Sequence, residues 1–458
     1  MSNSYRINLT FFLLLSVQLF FLANLQFTAW PEMFSYAYLR NNGFLIYKDM
    51  IHPYTPLLTM VLSWIYTLFG YHLWVLQTAA WAVAISTSVL VFLLTKQVTK
   101  NSWLALVSLA LYVFLQPFFE GNMLWFDLAI MPPLLLALLF LLRRNLLLSG
   151  LFIAAAMLIK QTTGLYFLFS IFYLVFVQKL RFSKLKRFFY GSLILGIPLL
   201  IRLIQENALS DFVNWVLIYP LTKWGNIIGY VRMEMSVHEV VVILILLTPI
   251  VFKFRQLLNE KNSRIVLLFL VCALIAVYPR FSFFHFQMSL AIISILYGAL
   301  LARTGINLKF VSLYALVLMY LVHYPVLLRS WRTEPRFYST GELELAEVIK
   351  QKTTASDRLY LLGLNSTLYS MSGRLPPERW TDNFAWYLEI QGVQEEVINR
   401  WITNPPEYVF WRTPSTGNKH DLGVYQPKKI AELVRSNYTQ KEEVKPGIWM
   451  WVQRPPQD

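Results

Sequence analysis

The segment 30–56, WPEMFSYAYLRNNGFLIYKDMIHPYTP, carries three side chains that could do acid–base chemistry: Glu32, Asp49 and His52. The segment directly follows the first apolar run of the chain. Ionisable groups at a membrane boundary are expensive to desolvate unless they are solvated or paired. Such a cluster indicates a polar site, against the alternative of a solvated loop with incidental charges.

Further polar residues occur at the ends of later apolar runs. Asp127 lies in NMLWFDLAIMPP, Lys160 and Gln161 lie in LIKQTTG, and Arg280 and His285 lie in YPRFSFFHF. Arginine and lysine suit a phosphate leaving group, and a carboxylate can take a proton from an acceptor hydroxyl. Carboxylates and cations at one membrane face would therefore suit a reaction on an anionic, lipid-tethered substrate.

Each of these residues also has a structural interpretation. Lys160 could extend its charge from a helix end towards water, and Asp127 could cap a helix N-terminus. Arg280 could pair with a loop acid, and His285 could be a satisfied residue at a helix start. Tyr54 fits a belt of interfacial aromatic residues. The functional interpretation therefore depends on the whole set.

The elements that would position these residues are membrane-spanning helices. The 458 residues are 57% hydrophobic and 14% charged, which excludes an ordinary soluble protein. Apolar runs occur near 7–27, 73–95, 102–118, 124–142, 146–160, 164–178, 188–204, 238–252, 265–278, 286–301 and 310–327. The sequence thus predicts a polytopic α-helical membrane protein with about eleven transmembrane helices, the first a retained anchor.

One apolar run, Leu57 to Phe69, is too short for a crossing. It has about 13 residues, whereas a crossing needs roughly 20. Pro56 before it and Gly70 after it are typical of a helix start and a helix end. We therefore predict an interfacial or re-entrant helix beside the first external loop.

The basic residues are distributed unevenly between the loops. They concentrate at 96–100, 143–144, 179–187, 253–264 and 303–309. The positive-inside rule then predicts a cytoplasmic N-terminus and an extracytoplasmic C-terminal domain in the plasma membrane. Basic loops facing anionic membrane lipids explain the net charge of +15, so no nucleic acid partner is needed.

After Leu328 the composition changes, and the apolar runs become short. Helical patterns occur at Gly341–Lys352, Phe384–Ile402 and Lys428–Asn437, and strand patterns at Arg358–Leu362, Tyr408–Arg412 and Ile448–Gln453. This alternation predicts a small soluble α/β domain over 330–458. It would follow a transmembrane domain over 1–329, whose first external loop is 28–72. The single cysteine, Cys272, excludes an intrachain disulfide.

Together these features resemble the C-class (GT-C) glycosyltransferases. The bacterial branch related to protein O-mannosyltransferases, lipid A aminoarabinose transferase and the Rgt galacturonosyltransferases is the most similar in pattern. The resemblance covers about residues 1–330 and extends more loosely to YLLGLNSTLYSMSGRLPPERW. In these families the first-loop acid is usually Asp, often as Asp-Glu, whereas this chain has Pro31 and Glu32.

The resemblance implies an inverting glycosyltransferase that moves a sugar from a polyprenyl-phosphate-linked donor to a hydroxyl acceptor on a glycan, lipid or protein. Glu32 would be the catalytic base, and Asp49 would orient it or bind a sugar hydroxyl. Lys160 and Arg280 would bind the donor phosphate. The expected substrate-binding residues are His52, Tyr54, Asp127, Gln161 and His285. No cofactor is required, although the site could accept a divalent cation.

Two other functional classes stay open. A lipid-linked sugar carrier or flippase would place polar residues near the bilayer midplane, whereas here they gather at one face, with Arg202 as the exception. A non-catalytic accessory protein would tolerate changes at Glu32, Lys160 and Arg280 but would lose its function with the C-terminal domain. Replacing these residues distinguishes both classes from an enzyme.

Overall fold

The computed structural model describes residues 3–304, 308–417 and 423–455. Most of them are helical. The α-helices are Asn3–Asn24, Glu32–Asn41, Leu57–Phe69, Leu73–Thr99, Ser102–Leu115, Phe126–Ala129, Met131–Leu142, Leu146–Met157, Gly164–Phe172, Phe182–Gln205, Leu209–Val213, Tyr219–Thr222, Val237–Phe252, Phe254–Leu258, Lys261–Ile275, Phe283–Thr304, Leu308–Ser330, Thr340–Lys352, Thr367–Ser372, Ala385–Leu388, Val393–Thr403 and Lys428–Asn437. Short 3₁₀ turns lie at Gln116–Phe118, Gln161–Thr163 and Trp224–Asn226, and π turns at Tyr173–Val177 and Asn214–Ile218.

Helices lie at all the predicted apolar runs. Within the described ranges, four helices are long and apolar enough to cross a membrane: Asn3–Asn24, Leu73–Thr99, Phe182–Gln205 and Phe283–Arg303. Shorter apolar helices occupy most of the other runs. These helices agree with the predicted multi-pass membrane protein. The number of crossings and the orientation stay predictions, and the basic loop 303–309 lies partly outside the described residues.

The chain forms two compact units. We call the first the helical unit; it comprises Met1–Thr28, Gln77–Leu199 and Arg232–Thr333. We call the second the loop-and-sheet unit; it comprises Ala29–Leu76, Leu200–Val231 and Glu334–Asp458. Most of the predicted first loop and the predicted C-terminal domain therefore belong to one unit. The predicted domain boundary between residues 329 and 330 stays a prediction.

A four-stranded sheet forms the C-terminal part of the loop-and-sheet unit. Its strands are β1 (Leu359–Leu362), β2 (Tyr408–Arg412), β3 (Tyr438–Lys445) and β4 (Ile448–Gln453), in the order β1-β2-β4-β3. Strand β1 runs parallel to β2, while β4 is antiparallel to β2 and β3. All four residues of β1 are buried. The sheet confirms the predicted small α/β module.

The predictions for this module need two corrections. The helix predicted over Phe384–Ile402 is two helices, because Gly392 adopts a left-handed conformation with φ 92° between them. Strand β3 was not predicted, because its sequence YTQKEEVK is polar and charged; half of its residues are exposed. It is a strand because it pairs along β4 at the edge of the sheet. The helix Leu57–Phe69 has the predicted bounds.

Two helices of the helical unit cross closely at a pair of glycines. A Cβ atom added at Gly150 would lie 2.0 Å from the carbonyl oxygen of Phe188, and one added at Gly191 would lie 2.0 Å from that of Leu147. The hydroxyl of Ser192 also donates to the carbonyl of Gly150 at 3.2 Å. Small residues allow such a close backbone approach, which favours helix packing in membranes.

Buried amides connect three helical segments of the same unit. The hydroxyl of Ser88 donates to Gln18 Oε1 at 2.6 Å, and Gln18 Nε2 donates to Gln116 Oε1 at 2.9 Å. Gln116 in turn donates to the carbonyl of Gly121 at 2.9 Å. Because a buried polar group without a partner is costly, this chain of hydrogen bonds fixes how the three segments pair.

Candidate active site

Glu32 is the first residue of the helix Glu32–Asn41 in the loop-and-sheet unit. It is only 3% exposed, and its Oε2 has no hydrogen-bond partner among the described residues. Burial raises the pKa of Glu32 well above its usual value, and the nearby charge of Asp382 raises it further. Buried polar atoms are nearly always bonded, so this oxygen is a candidate for contact with a substrate.

Asp382 is the second buried carboxylate of this site, with 1% exposure. The hydroxyl of Ser366 donates to its Oδ2 at 2.8 Å, and the amide of Asn383 donates to its Oδ1 at 3.0 Å. Ser366 Oγ also lies 3.1 Å from Ser35 Oγ, one turn after Glu32. Burial raises the pKa of Asp382 to about 6, although the two hydrogen bonds oppose this. We call Glu32 and Asp382 the acidic pair.

Two buried tyrosines lie beside the acidic pair. Tyr36, one helical turn after Glu32, is 1% exposed, and Tyr387 is 3% exposed. Burial raises the pKa of both hydroxyls, and the charges of Glu32 and Asp382 add to the effect. Both tyrosines therefore keep their protons and can act as neutral hydrogen-bonding groups.

Asp49 shapes the first loop. Its carboxylate accepts a hydrogen bond from the amide of Leu45 at 2.8 Å. Its backbone carbonyl accepts one from the amide of Trp380 at 2.9 Å, and the carbonyl of Trp380 accepts one from the amide of Ile51 at 2.9 Å. The C-terminal segment that carries Asp382 is thereby fixed beside the first loop. The predicted role of Asp49 in catalysis stays a prediction.

His52 is fully buried, and both of its ring nitrogens lie near oxygen atoms. Nδ1 lies 2.8 Å from the carbonyl oxygen of Tyr54, and Nε2 lies 2.8 Å from the hydroxyl of Thr59. A carbonyl can only accept, so Nδ1 carries the proton and the hydroxyl of Thr59 donates to Nε2. Burial lowers the pKa of His52 to about 4, so the ring is neutral.

Tyr54 contributes its backbone to this arrangement. Its carbonyl also accepts a hydrogen bond from the hydroxyl of Tyr47 at 2.7 Å. His52 and Tyr47 thus hold the loop at the same carbonyl group. Substrate binding by His52 and Tyr54 stays a prediction, and both residues have a structural part in the loop.

Arg379 joins the three segments of the loop-and-sheet unit. It is 6% exposed, and its guanidinium donates to the carbonyl of Lys48 at 2.6 Å. The same group lies 3.0 Å from a carboxylate oxygen of Glu396 and 3.4 Å from one of Asp211. Because guanidinium presents five donors in a fixed plane, a single side chain can bind partners from the first loop, from Leu200–Val231 and from the C-terminal segment.

In the helical unit, three of the predicted site residues come together. The ammonium of Lys160 lies 2.7 Å from both carboxylate oxygens of Asp127. His285 Nδ1 lies 3.1 Å from Asp127 Oδ2. Lys160 and Asp127 are 8% and 6% exposed, so the pair is largely removed from water. Their functional roles stay predictions.

The remaining predicted residues are near the ends of helices. Gln161 begins the 3₁₀ turn Gln161–Thr163 directly after Lys160. Arg280 is half-buried on a turn whose neighbours, Pro279 and Phe281, exchange backbone hydrogen bonds with Arg232 at 2.8 and 2.9 Å. Glu32 belongs to a different compact unit from Lys160 and Arg280. The predicted proximity of these groups stays a prediction.

A protein-bound metal ion usually needs several His, Cys, Asp or Glu side chains close together. No group of three or more His, Cys, Asp or Glu side chains that could hold a metal ion occurs in the described part of the chain. That the site could accept a divalent cation stays a prediction.

Sequence reasoning missed Asp382 and Ser366. A local signal exists, because Asp382 lies in WTDNF between aromatic residues. An acid in apolar surroundings drew attention to Glu32, and the same criterion applied to Trp380–Phe384 would have found Asp382. No local pattern, however, connects it to a helix 350 positions earlier in the chain, at Glu32.

Comparisons with known proteins give the fold. No family model and no curated protein sequence matches this sequence. ArnT from Cupriavidus metallidurans in the apo state is similar over all of both chains, with 13% identity and a TM-score of 0.62. The same protein bound to undecaprenyl phosphate gives 12% identity and a TM-score of 0.64, again over all of both chains.

A third similar structure is the archaeal oligosaccharyltransferase AglB from Archaeoglobus fulgidus, in complex with an inhibitory peptide and a dolichol-phosphate. Its identity is 11% and its TM-score is 0.57, over 98% of this chain and 74% of that chain. At these identities the similarity concerns the fold. The chain therefore has the GT-C-like fold that the resemblance in sequence predicted.

Proposed function

We propose that the protein is an inverting glycosyltransferase, which moves a sugar from a polyprenyl-phosphate-linked donor to a hydroxyl of a glycan, lipid or protein. The observation that carries the proposal is Glu32, a buried carboxylate beside a second carboxylate; one of its oxygens accepts no hydrogen bond from the residues that the structure describes. The similar structures support it, since one holds undecaprenyl phosphate and another holds dolichol-phosphate and a peptide.

Glu32 would act as the general base. As the acceptor oxygen forms a bond to the anomeric carbon, the bond from that carbon to the phosphate oxygen breaks on the opposite face, which inverts the configuration. Glu32 takes the hydroxyl proton, and polyprenyl phosphate leaves with the electron pair. A base is most effective when its pKa lies near the working pH, and burial moves the pKa of Glu32 in that direction.

Lys160 and Arg280 would stabilise the phosphate as negative charge develops on it. Positioned cations at a developing charge are among the largest contributions to catalysis. Asp127 holds the ammonium of Lys160 through both oxygens, so it would fix the direction of that charge. The positive-inside pattern supports a reaction at the extracytoplasmic face, with the N-terminus in the cytoplasm.

The test is sugar transfer by purified protein in lipid vesicles. A panel of radiolabelled prenyl-phosphate sugars is supplied with candidate hydroxyl acceptors, and both donor loss and product formation are followed. Glu32→Gln keeps the shape of the side chain and removes the base, so we expect the rate to fall by about 10² to 10⁴. Unchanged transfer by this variant would contradict the proposal.

A matched control uses an exposed glutamate of the same unit. Glu347 lies on the helix Thr340–Lys352 and bonds only to Gln351 among the described contacts. Glu347→Gln should leave the rate unchanged. A carrier would instead move labelled lipid across the vesicle membrane without forming a product, and Glu32→Gln would not affect that movement.

A further inference from the structure

A cavity of about 190 Å³ lies where three segments of the helical unit meet. Its lining comes from the end of the helix Met131–Leu142 and the turn after it, from Tyr173 and Gln178, and from the start of the helix Lys261–Ile275. No residue of the candidate active site lines it. Pockets for drug-sized ligands are roughly 300 to 1,000 Å³, so this cavity suits a smaller chemical group.

Four of the side chains that line the cavity carry charged or amide groups. They are Arg144, Gln178, Lys261 and Asn262. Among the residues that the structure describes, no acid lines the cavity. The guanidinium of Arg144 and the ammonium of Lys261 supply positive charge, and the two amides supply further donors. Such a lining favours a small anionic group.

The acid that is next to the cavity in the sequence already has partners. Glu260, directly before Lys261, forms an ion pair with Arg303 and accepts a hydrogen bond from the hydroxyl of Ser263 at 3.2 Å. This carboxylate therefore leaves the charges that line the cavity available to a ligand. Lys261 is also the first residue of its helix, whose positive end adds to the attraction for an anion.

Exposed aromatic side chains lie beside the cavity in the same stretch of chain. Phe172 is 50% exposed and Phe176 is 66% exposed, and their rings lie 5.0 Å apart between centroids. Tyr173, between them, lines the cavity, and its hydroxyl donates to the carbonyl of Lys261 at 3.3 Å. This stretch therefore contributes both to a polar cavity and to an exposed apolar surface. A ligand that fits both has an anionic group joined to a hydrocarbon chain.

We propose that this cavity binds the phosphate headgroup of a membrane lipid. Arginine and lysine are the side chains that recognise phosphate, and basic pockets between transmembrane helices bind anionic headgroups. The exposed phenylalanines favour a lipid over a free phosphate ion, because they offer its acyl chains an apolar surface. Arg144 and Lys261 belong to two of the basic loops that the sequence predicts to be cytoplasmic, and the cavity brings them together. The proposal does not depend on the proposed function.

Lipid binding by the purified full chain tests the proposal. Native mass spectrometry counts the lipid molecules bound during titration with phosphatidic acid, and diacylglycerol with the same acyl chains provides the comparison without phosphate. The double variant Arg144→Gln/Lys261→Gln removes both charges and keeps polar side chains. We expect it to bind phosphatidic acid at least about ten times more weakly at one site. The wild type should bind diacylglycerol no better than this variant does.

The matched control is Arg143→Gln. Arg143 is exposed next to Arg144 but does not line the cavity, so this variant should bind phosphatidic acid as the wild type does. An equal loss in Arg143→Gln, or no loss in the double variant, would overturn the proposal. Equal binding of inorganic phosphate and phosphatidic acid would also overturn it, because a free ion would then be the occupant.

Unfolding temperatures show whether the variants are folded. If the double variant does not fold, the single variants Arg144→Gln and Lys261→Gln provide the same comparison, since each should lose part of the affinity. The cations of the candidate active site are present in every protein compared, so lipid bound there does not affect the difference. Sugar transfer does not enter the measurement, and a failure of the proposed function therefore leaves this result unchanged.

Discussion

The ammonium of Lys160 lies 2.7 Å from both carboxylate oxygens of Asp127, and the two residues are almost fully buried. Replacing Asp127 removes the carboxylate that neutralises the buried ammonium, and replacing Lys160 leaves the buried carboxylate with His285 alone. We expect Asp127→Asn or Lys160→Met alone to lower the free energy of unfolding by about 3 to 5 kcal/mol. The double variant should be more stable than either single one. Thermal unfolding in detergent, followed by tryptophan fluorescence, measures the stabilities of the wild type, the two single variants and the double variant.

The double variant also separates stability from phosphate binding. If Lys160 binds the donor phosphate, the double variant should bind polyprenyl phosphate at least about ten times more weakly, a loss of roughly 1.4 kcal/mol. Titration of the lipid into detergent-solubilised protein measures this. Wild-type affinity in a stable double variant would show that Lys160 serves only its ion pair.

Glu32 should make the protein less stable as the pH rises. Its pKa is raised in the folded state, so the stability that the neutral carboxyl contributes is complete below the unfolded pKa and is lost as the pH rises through the folded pKa. Asp382 should add to this pH dependence. Its pKa is raised from 3.8 to about 6, and a shift of that size corresponds to roughly 3 kcal/mol of stability.

We therefore expect Glu32→Gln to gain stability relative to the wild type as the pH rises over the range above the unfolded pKa of Glu32. Unfolding temperatures of the two proteins across this range provide the measurement. The exposed control Glu347→Gln should follow the wild type throughout. A constant difference between Glu32→Gln and the wild type would show that Glu32 is ionised over the whole range.

His52 should produce the opposite dependence. Its pKa falls from 6.5 to about 4 in the folded state, so its contribution is present above the unfolded pKa and is lost as the pH falls towards the folded pKa. His52→Asn loses the hydrogen bond between Thr59 and Nε2 and should cost about 1 to 3 kcal/mol at neutral pH. The difference in stability between His52→Asn and the wild type should shrink as the pH is lowered. Unfolding curves at two pH values measure this change.

The glycine crossing predicts a position-specific effect on one helix. Gly191→Ala places a methyl group against the carbonyl of Leu147, and backbone must move to admit it, whereas a Cβ at Gly196 meets nothing within 4 Å. We expect Gly191→Ala to lower the unfolding temperature. Gly196→Ala should leave it unchanged or raise it, since alanine favours a helix by up to about 1 kcal/mol. Equal effects would contradict the close crossing.

Some elements of the loop-and-sheet unit could be predicted from the sequence because their signal is local. Strands β2 and β4 are short apolar runs with the bounds predicted for them. Strand β3 carries charges on an exposed edge, and only its pairing with β4 makes it a strand. A local pattern predicts a strand when the strand's own apolar side chains account for its burial. It fails when pairing with a neighbouring strand is what makes the segment a strand.

In the candidate site, too, residues with a local signal were found from the sequence, and a long-range contact was missed. Glu32 and Lys160 stood out as ionisable residues in apolar sequence, and the structure places Lys160 and His285 against Asp127. The association of Glu32 with Asp382 depends on the C-terminal segment folding back onto the first loop. Hydrophobic periodicity carries no information about that long-range contact, so sequence reasoning missed it.

Arg379 joins segments that are made at very different times. It contacts Lys48 near the start of the chain and Asp211 near the middle. Chains are synthesised from the N-terminus, and early domains usually fold before later ones appear. Here the first loop emerges long before the residues that complete its unit. Until those residues have been made, Glu32 therefore lacks the contacts that surround it in the folded unit.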